Sequence, residues 1–487
     1  MKVLFIDVDS LRPDHIGING YHRNTTPTID EIAKRGVNFT NYYTSDAPCL
    51  PSRTALTTGK MGIRTGLIDH GGEASKMRVS EQTKNFTDGL EKHSLAGLFR
   101  QKGMKTALIS TFAERHSAWH FNAGYNEVMN FGTAGGEIAS DITPIALDWL
   151  KRNEDEEDWL LYVNYWDPHT PYRTPEDYEN PFEDDPLPEW LTAEKLEEDR
   201  KLAGPHTARD INMYNNDPLP EYPKHPSEIK NMDDMHQLID GYDMGIRYMD
   251  DHLKMIMDEL ERQGIEEEVT IIITADHGEN LGELGIYAEH ATADQGTTNI
   301  PMIIKSPHLK EGHFDDELHY SLDLLPTIAE LLDVEGDDDW DGQSFASTLT
   351  DGEKNGRDHL VISQNAHVCQ RSVRFDEWLY IRTYHDGFHL FDKDQLFNIE
   401  EDPHESKDLA EEHPEIVNKA LNILTNWHDE MMGKMNEPYD PMWTVLKEGG
   451  PLHAKGNLKA YTENRLIPTG RTEQAKKLKE RHPREFE

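Results

Sequence analysis

Short apolar runs alternate with amphipathic stretches along the first 355 residues, and few folds accommodate that pattern. The runs are brief and mostly bounded by polar residues, glycine or proline, as buried strands are. They lie at Lys2–Val8, Lys105–Ser110, Trp159–Asn164, Val269–Thr274 and Pro301–Lys305. Helical periodicity occupies Ser94–Gln101, Ile138–Arg152, Met235–Arg262 and Leu322–Leu332. The alternation predicts an α/β fold with a large, mostly parallel sheet sandwiched by helices.

The pattern changes near residue 355. Short strands are predicted at His359–Ser363, Arg371–Phe375, Glu377–Thr383 and Gly387–Phe391, and a helix at Glu415–Met432. We therefore expect a large domain over residues 1–355 and a smaller α+β domain, built on an antiparallel sheet, over residues 356–440. Residues 441–487 are expected to form a C-terminal tail or arm. The Pro-rich, acidic segment Asp167–Pro226 is expected to be a long surface excursion over the sheet.

The charge excludes whole classes of partner. Lys and Arg number 49 against 92 Asp and Glu, which gives a formal charge of −43. Nucleic acid and anionic membranes bind basic surfaces, so we expect neither as a partner. The N-terminal apolar run is interrupted by Asp7, and no apolar run approaches the ~20 residues of a membrane span, so we expect no signal peptide and a cytoplasmic location.

Several predicted strands deliver polar side chains to one edge of the sheet. In a parallel sheet, ligands bind outside the carboxyl ends of the strands. The first strand ends in Asp7-Val8-Asp9-Ser10, and later strands lead into Ser110–His116, Asp167–Pro171 and Ala275–Glu279. This set of Asp, His and Arg side chains predicts a metal-assisted hydrolytic site.

Asp9, Asp276 and His277 are the strongest metal-ligand candidates. Carboxylate oxygens suit Ca²⁺, Mg²⁺ or Mn²⁺, whereas an imidazole favours Mn²⁺ or Zn²⁺. A structural alternative stays open, because Asp after a strand is often a helix N-cap and Asp276-His277-Gly278 could form a turn.

The segment from Pro48 to Gly59 carries the most specific signal. Pro51 suits the first turn of a helix and Gly59 suits its end. This arrangement places Cys49 at a helix N-terminus, where backbone N–H groups favour an anion, with Arg53 one turn further on. The alternative is a buried, inert cysteine.

These residues resemble the signature of the type I sulfatases of the alkaline phosphatase superfamily. The signature is Cys49-x-Pro51-Ser52-Arg53 followed by Thr58-Gly59. Further similar segments are VDSLRPDH (Val8–His15), the Pro168–Pro171 loop, TADHGENLGELG (Thr274–Gly285), IPMIIKSP (Ile300–Pro307), Leu396-Phe397-Asn398, and Asp402–Glu405 with Asp408-Leu409. The resemblance runs in colinear order from residue 2 to about residue 430, and a match this long by chance is rare.

The resemblance implies an alkaline-phosphatase-like fold, with residues 1–355 as a catalytic sulfatase domain. It also implies that a formylglycine-generating enzyme oxidises Cys49 to formylglycine. The hydrated aldehyde would attack the sulfur, release the alcohol, and then expel sulfate from the sulfated intermediate. One divalent ion is implied, Ca²⁺ as the first choice with Mn²⁺ or Zn²⁺ as alternatives, and residue 49 would also bind it. Arg53 would hold the diol.

The sequence departs from the family pattern at several positions. Many sulfatases have adjacent aspartates after strand one, whereas this chain has Asp9-Ser10, so we expect Asp7 or Ser10 to complete the metal shell. The equally open alternative is that Asp7 is a buried, hydrogen-bonded carboxylate. The family's lysines are not evident. We expect His116 and His290 to replace them, and His169 carries over directly as a catalytic residue.

The predicted function is hydrolysis of sulfate esters, those of small sulfated carbohydrates in the first place. A formylglycine-dependent phosphonate monoester or phosphodiester hydrolase is the alternative within enzymes. A catalytically silent carbohydrate-binding protein is the alternative from another class. A homo-oligomer formed through the C-terminal arm is also a prediction.

Overall fold

The computed structural model describes residues 1–78, 89–213, 215–309, 312–436 and 438–487. The strands in these ranges are β1 (Lys2–Val8), β2 (Val37–Phe39), β3 (Tyr42–Tyr43), β4 (Asp46–Ala47), β5 (Lys105–Ile109), β6 (Glu127–Met129), β7 (Trp159–Tyr165), β8 (Val269–Thr274), β9 (Asn280–Leu281), β10 (Tyr287–Glu289), β11 (Met302–Lys305), β12 (His313–Asp315), β13 (His319–Tyr320), β14 (His359–Gln364), β15 (Cys369–Phe375), β16 (Trp378–His385) and β17 (Asp394–Asn398).

The α-helices of the same ranges are α1 (Pro27–Ala33), α2 (Cys49–Thr58), α3 (Gly62–Thr65), α4 (Leu90–His93), α5 (Leu95–Gln101), α6 (Phe112–His116), α7 (Ala139–Arg152), α8 (Ala193–Asp199), α9 (Met232–Gln263), α10 (Gln295–Thr298), α11 (Leu324–Leu332), α12 (Ala346–Asp351), α13 (Pro414–Gly433), α14 (Met442–Lys447), α15 (Leu458–Tyr461) and α16 (Thr472–Arg481). The long helix α9 starts after Asn231, whose side chain caps it, and ends at Gly264 in the left-handed conformation. Across the described ranges, no helix has the length and apolar character that crossing a bilayer requires.

Eight strands form the large sheet, in the order β12-β2-β11-β8-β1-β7-β5-β6. The central strand β1 runs parallel to both of its neighbours, β7 and β8. The strand β11 runs antiparallel to β2 and β8. The predicted large, mostly parallel sheet is therefore confirmed.

The register of the central strands explains why their polar ends meet. Every residue of β7 and β8 is buried, and β1 is buried from Val3 onward, so these strands form the middle of the main core. Asp7 lies opposite Asn164 on one side and Thr274 on the other. The residues that follow the three strands therefore emerge at the same edge of the sheet.

A second sheet has the order β17-β16-β15-β14-β4. The four strands from the C-terminal part of the chain pair antiparallel, as predicted. The short strand β4 joins them in parallel, with Asp46 opposite Ser363. Because β4 directly precedes α2, the second sheet is hydrogen-bonded to the segment that leads into Cys49.

The predicted strand at Gly387–Phe391 is wrong, and the last strand of this sheet is β17. Gly387 has a φ of 58°, and the N–H of His389 donates to the carbonyl of Asp386, so the chain turns here. Phe388 is buried in a cluster with residues of the C-terminal helices. The apolar residues of this segment therefore pack against another part of the chain and add no strand to the sheet.

Residues 441–487 are helical and pack on the rest of the chain. Tyr461, Leu466 and Leu478 share a buried cluster with Ala203. The fully buried carboxylate of Asp210 forms ion pairs with Arg465 and Arg471 and accepts a hydrogen bond of 2.6 Å from the Tyr461 hydroxyl. These contacts hold the C-terminal arm against the segment of residues 167–226.

We expect Asp210→Asn to lower the free energy of unfolding by about 3–5 kcal/mol, because it leaves two guanidinium groups without their buried carboxylate. Urea unfolding at neutral pH measures the change. The control is Glu480→Gln, which removes an exposed partner of Lys476 and is expected to cost about 1 kcal/mol or less. Equal losses in the two variants would contradict a stabilising role for Asp210.

Candidate active site

Cys49 is the first residue of α2 and is buried. Pro51 lies in the first turn of the helix, and the helix ends at Gly59, which has a φ of 68°. A Cβ atom on Gly59 would lie 2.3 Å from the Trp340 side chain, so a larger residue would clash there as well as strain the backbone. The structure thus places the cysteine at the helix start that the sequence predicted.

Arg53 lies one turn into α2 and is fully buried among three carboxylates. Its Nε donates to Asp7 Oδ2 at 2.8 Å, and its Nη1 donates to Asp9 Oδ2 at 3.0 Å. The same Nη1 donates to Asp276 Oδ2. The ring of Phe112 covers the guanidinium at 4.8 Å. Arg53 therefore joins the ends of β1 and β8 to the helix that begins at residue 49.

One ring nitrogen of His277 lacks a hydrogen-bond partner among the residues that the structure describes. Its Nδ1 lies 2.8 Å from the carbonyl oxygen of Gly278, which places the proton on Nδ1. Its Nε2 is buried and has no hydrogen-bond partner within the described ranges, although it lies 3.3 Å from Asp276 Oδ2 and 3.9 Å from Asp9 Oδ1. A cation bound between this nitrogen lone pair and the two carboxylates would interact favourably with all three groups.

The carboxylates around Arg53 carry more negative charge than one guanidinium balances. Burial raises the pKa of Asp7, and it raises the pKa of Asp276 to about 7. Burial also opposes ionisation of Asp9, but its contacts with His169 and Arg53 hold its pKa below the usual range. A divalent cation would let all three carboxylates ionise, so the residues present fit a metal ion.

Asp7 and Ser10 have different surroundings. Oδ2 of Asp7 accepts hydrogen bonds from Arg53 Nε, from Tyr162 Oη at 2.8 Å and from Asn164 Nδ2 at 3.3 Å. The hydroxyl of Ser10 donates to Asp9 Oδ1 at 3.0 Å. One oxygen of Asp7 is thus already saturated by protein donors, which favours the structural alternative for that atom.

Two imidazoles flank the sulfur of Cys49. Nε2 of His116 lies 3.3 Å from Sγ, and Nε2 of His70 lies 3.5 Å from it. Burial, aided by the charge of Arg115, lowers the pKa of His116 to about 3, so its ring is neutral at pH 7. Neutral imidazoles beside a nucleophilic position can accept a proton.

The remaining predicted histidines lie beside the carboxylates. Nε2 of His169 is 3.9 Å from Asp9 Oδ1, and the ring of His290 stacks on that of His277 with centroids 4.1 Å apart. Contacts thus link every predicted site residue into one region, buried except at the half-buried His116: Asp7, Asp9, Cys49, Arg53, His116, His169, Asp276, His277 and His290.

Several histidines next to this region have no counterpart among the residues predicted from the sequence. His70 contacts Cys49, and its Nδ1 lies 3.2 Å from Nε2 of His453, a residue of the C-terminal arm. His367 stacks on His453 with centroids 4.1 Å apart. These residues lie in loops without a motif, and a single sequence carries no signal that could have selected them among 25 histidines.

A sequence profile of the Sulfatase family matches residues 2–334, which is more than half of the chain. Among curated proteins, the choline-sulfatase of Rhizobium meliloti is 24% identical over 440 residues, covering 83% of this chain and 80% of that protein. The arylsulfatase of Clostridium perfringens is 23% identical over 472 residues, covering 87% of this chain and 93% of that protein.

Solved structures show the same fold. One is a complex with D-glucosamine-2-N,6-O-disulfate, which is named as the substrate of that protein. It matches with a TM-score of 0.71 and 17% identity, covering 90% of this chain and 99% of that one. The phosphonate monoester hydrolase of Silicibacter pomeroyi matches with a TM-score of 0.66 and 18% identity, covering 91% of this chain and 97% of that one. The alkaline-phosphatase-like fold and the class of sulfuric ester hydrolase are confirmed, and the chain belongs to the sulfatase family.

Proposed function

We propose that this sulfatase hydrolyses the sulfate esters of small carbohydrates, with formylglycine derived from Cys49 as its nucleophile. One observation carries the proposal: Sγ of Cys49 lies within 4.8 Å of the potential ligand atoms of Asp276 and His277. A group on residue 49 can therefore reach both a bound cation and a sulfate held by that cation. The carbohydrate part is supported by the disulfated glucosamine named as substrate of the similar structure.

The surroundings of Cys49 favour a modified residue over the thiol itself. Burial, with the charges of Asp9 and Asp276, raises the pKa of the Cys49 thiol well above its usual value. The thiolate is the nucleophilic form of cysteine, so the unmodified residue is a poor nucleophile here. A hydrated aldehyde at this position presents two hydroxyls in place of one suppressed thiol.

Asp9, Asp276 and His277 are the proposed protein ligands of one divalent ion, together with residue 49. Asp7 and Ser10 are the candidates for the remaining position. Ca²⁺ is our first choice, with Mn²⁺ and Zn²⁺ as alternatives, because the donors are two or more carboxylates and one imidazole. Such an ion supplies positive charge for the sulfate oxygens. Arg53 keeps the carboxylates in place, and its Nη2 has no hydrogen-bond partner in the described part of the chain.

Histidines are the proposed proton carriers. His116 is the ring nearest to residue 49, with its Nε2 3.3 Å from Sγ, so we assign it the proton that residue 49 loses. We assign protonation of the leaving oxygen to His169. The Nδ1 of this residue contacts the carbonyl of Thr170, and its Nε2 faces Asp9. His290, which packs on His277, is proposed to line the sulfate site.

Hydrolysis of phosphonate monoesters or phosphodiesters is the second candidate. The structural similarity to a phosphonate monoester hydrolase favours it, and so does the histidine-rich lining of the site. A silent carbohydrate-binding protein is the candidate from another class. The cytoplasmic location, the formylglycine-generating enzyme as partner and an oligomer formed through the C-terminal arm stay predictions.

Chemical conversion of residue 49 directly tests the proposed nucleophile. In protein produced together with a formylglycine-generating enzyme, we expect the peptide that contains Cys49 to be lighter by the difference between a thiol and an aldehyde. Peptide mass spectrometry measures this. Cys369, the other cysteine, is the internal control and is expected to stay a thiol. A wholly unmodified Cys49, in a host that converts a known sulfatase, would contradict the proposed nucleophile.

Replacement of His116 tests its proposed role as proton acceptor. We expect His116→Gln to lower kcat for an aryl sulfate by about 10²–10⁴-fold, because a proton acceptor beside residue 49 is lost. His120→Gln is the matched control: Nε2 of His120 lies 2.9 Å from the Thr54 hydroxyl of α2, whereas Nε2 of His116 contacts the Cys49 sulfur. It should leave kcat within a few fold of wild type. Similar losses in both variants would point to a packing role for His116.

The substrate preference separates the two candidate hydrolase activities. We expect a higher kcat/KM for an aryl sulfate than for an aryl phosphodiester or an aryl phosphonate with the same leaving group. The comparison uses one preparation with a measured fraction of formylglycine, so that incomplete conversion affects all rates equally. A clear preference for the diester or the phosphonate would favour the second candidate function.

A further inference from the structure

A second group of potential metal ligands lies beside the candidate active site. It consists of Glu289, His290, His206 and His367, which we name the Glu289 cluster. Oε1 of Glu289 lies 3.1 Å from His290 Nε2 and 3.7 Å from His367 Nε2. Oε2 of Glu289 lies 3.1 Å from His206 Nε2. One carboxylate is therefore surrounded by three imidazole nitrogens.

These separations suit coordination to one ion. Zinc binds nitrogen and oxygen donors at about 2.0–2.2 Å, so neighbouring donors of a tetrahedral site lie about 3.4 Å apart. The distances from Glu289 Oε1 to the His290 and His367 nitrogens lie on either side of that value. The donor atoms of Glu289, His290 and His367 all lie within 4.8 Å of one another. Small side-chain rotations would bring them to coordination distance.

The backbone around the cluster is held in an uncommon conformation. His206 and Ala288 are both non-glycine residues with positive φ, at 62° and 53°. The His206 carbonyl accepts a hydrogen bond from the N–H of Tyr287, which links the segment of residues 167–226 to β10. Such backbone costs free energy and recurs at functional sites. In this backbone conformation, the imidazole of His206 lies next to Glu289.

From these observations we propose that the Glu289 cluster binds a second divalent transition-metal ion of the Zn²⁺ class, separate from the ion proposed at Asp9, Asp276 and His277. Mixed imidazole and carboxylate donors favour Zn²⁺ over Ca²⁺ or Mg²⁺. His453 stacks against His367 from the side of the C-terminal arm and orients that ring.

The second ion would also resolve a charge conflict. Glu289 is a buried carboxylate near the site that we propose for sulfate, and two anions repel strongly in a buried region. An ion on Glu289 reverses the sign of the charge at this wall of the site. This argument rests on the proposed function, whereas the donor geometry of the cluster does not.

The test counts Zn²⁺ ions per chain by elemental analysis after dialysis of the full-length protein against Zn²⁺. We expect one Zn²⁺ ion fewer in both Glu289→Gln and His367→Gln than in the wild type. His482→Gln is the matched control. It alters another His–Asp–His group, His385, Asp386 and His482, whose carboxylate already pairs with Arg481. It should leave the count unchanged.

Two further variants keep the test decisive if a Glu289 variant fails to fold. Asp276→Asn should retain one Zn²⁺, bound at the intact Glu289 cluster. A Cys49→Ala chain, which cannot form the proposed nucleophile, should keep a Zn²⁺ that Glu289→Gln removes, so the result is independent of hydrolysis. An unchanged count in folded Glu289→Gln, or loss of all Zn²⁺ in Asp276→Asn, would overturn the second site.

Discussion

The active site depends on the burial of one guanidinium among three carboxylates. Arg53 pairs with Asp7, Asp9 and Asp276, which come from the ends of two neighbouring strands. An isolated buried charge costs several kcal/mol, and here that cost is offset because hydrogen-bonded partners of opposite sign surround it. The contact also orients the first turn of α2, and therefore decides where the side chain of residue 49 points.

Elements of both sheets determine the position of Cys49. The large sheet supplies the metal-ligand candidates through the carboxyl ends of β1 and β8. The second sheet holds the approach to α2, since β4 pairs with β14. Asp46 in β4 also accepts a hydrogen bond of 2.8 Å from the backbone N–H of Gly62, just beyond α2. Sequence positions more than 300 residues apart thus control the geometry of one nucleophile.

Local patterns in the sequence were sufficient for the central strands and for the polar groups at their ends. β1 was predicted at its observed bounds, and Asp9, Asp276 and His277 follow from the rule that parallel strands end at one edge. The failure at Gly387–Phe391 has a physical reason. An apolar pattern shows that side chains are buried without showing against what, and Phe388 is buried by C-terminal helices and lies outside the sheet.

The sequence by itself determined the fold class, the nucleophile candidate and the metal-ligand candidates, because strand periodicity and a helix start are local properties of the chain. Only the tertiary structure decided which oxygens of Asp7 are occupied by Arg53 and Tyr162, and which histidines surround Cys49 and Glu289. His70, His206, His367 and His453 come from four separate loops. Packing of these loops in three dimensions, which no short-range pattern encodes, brings their rings together.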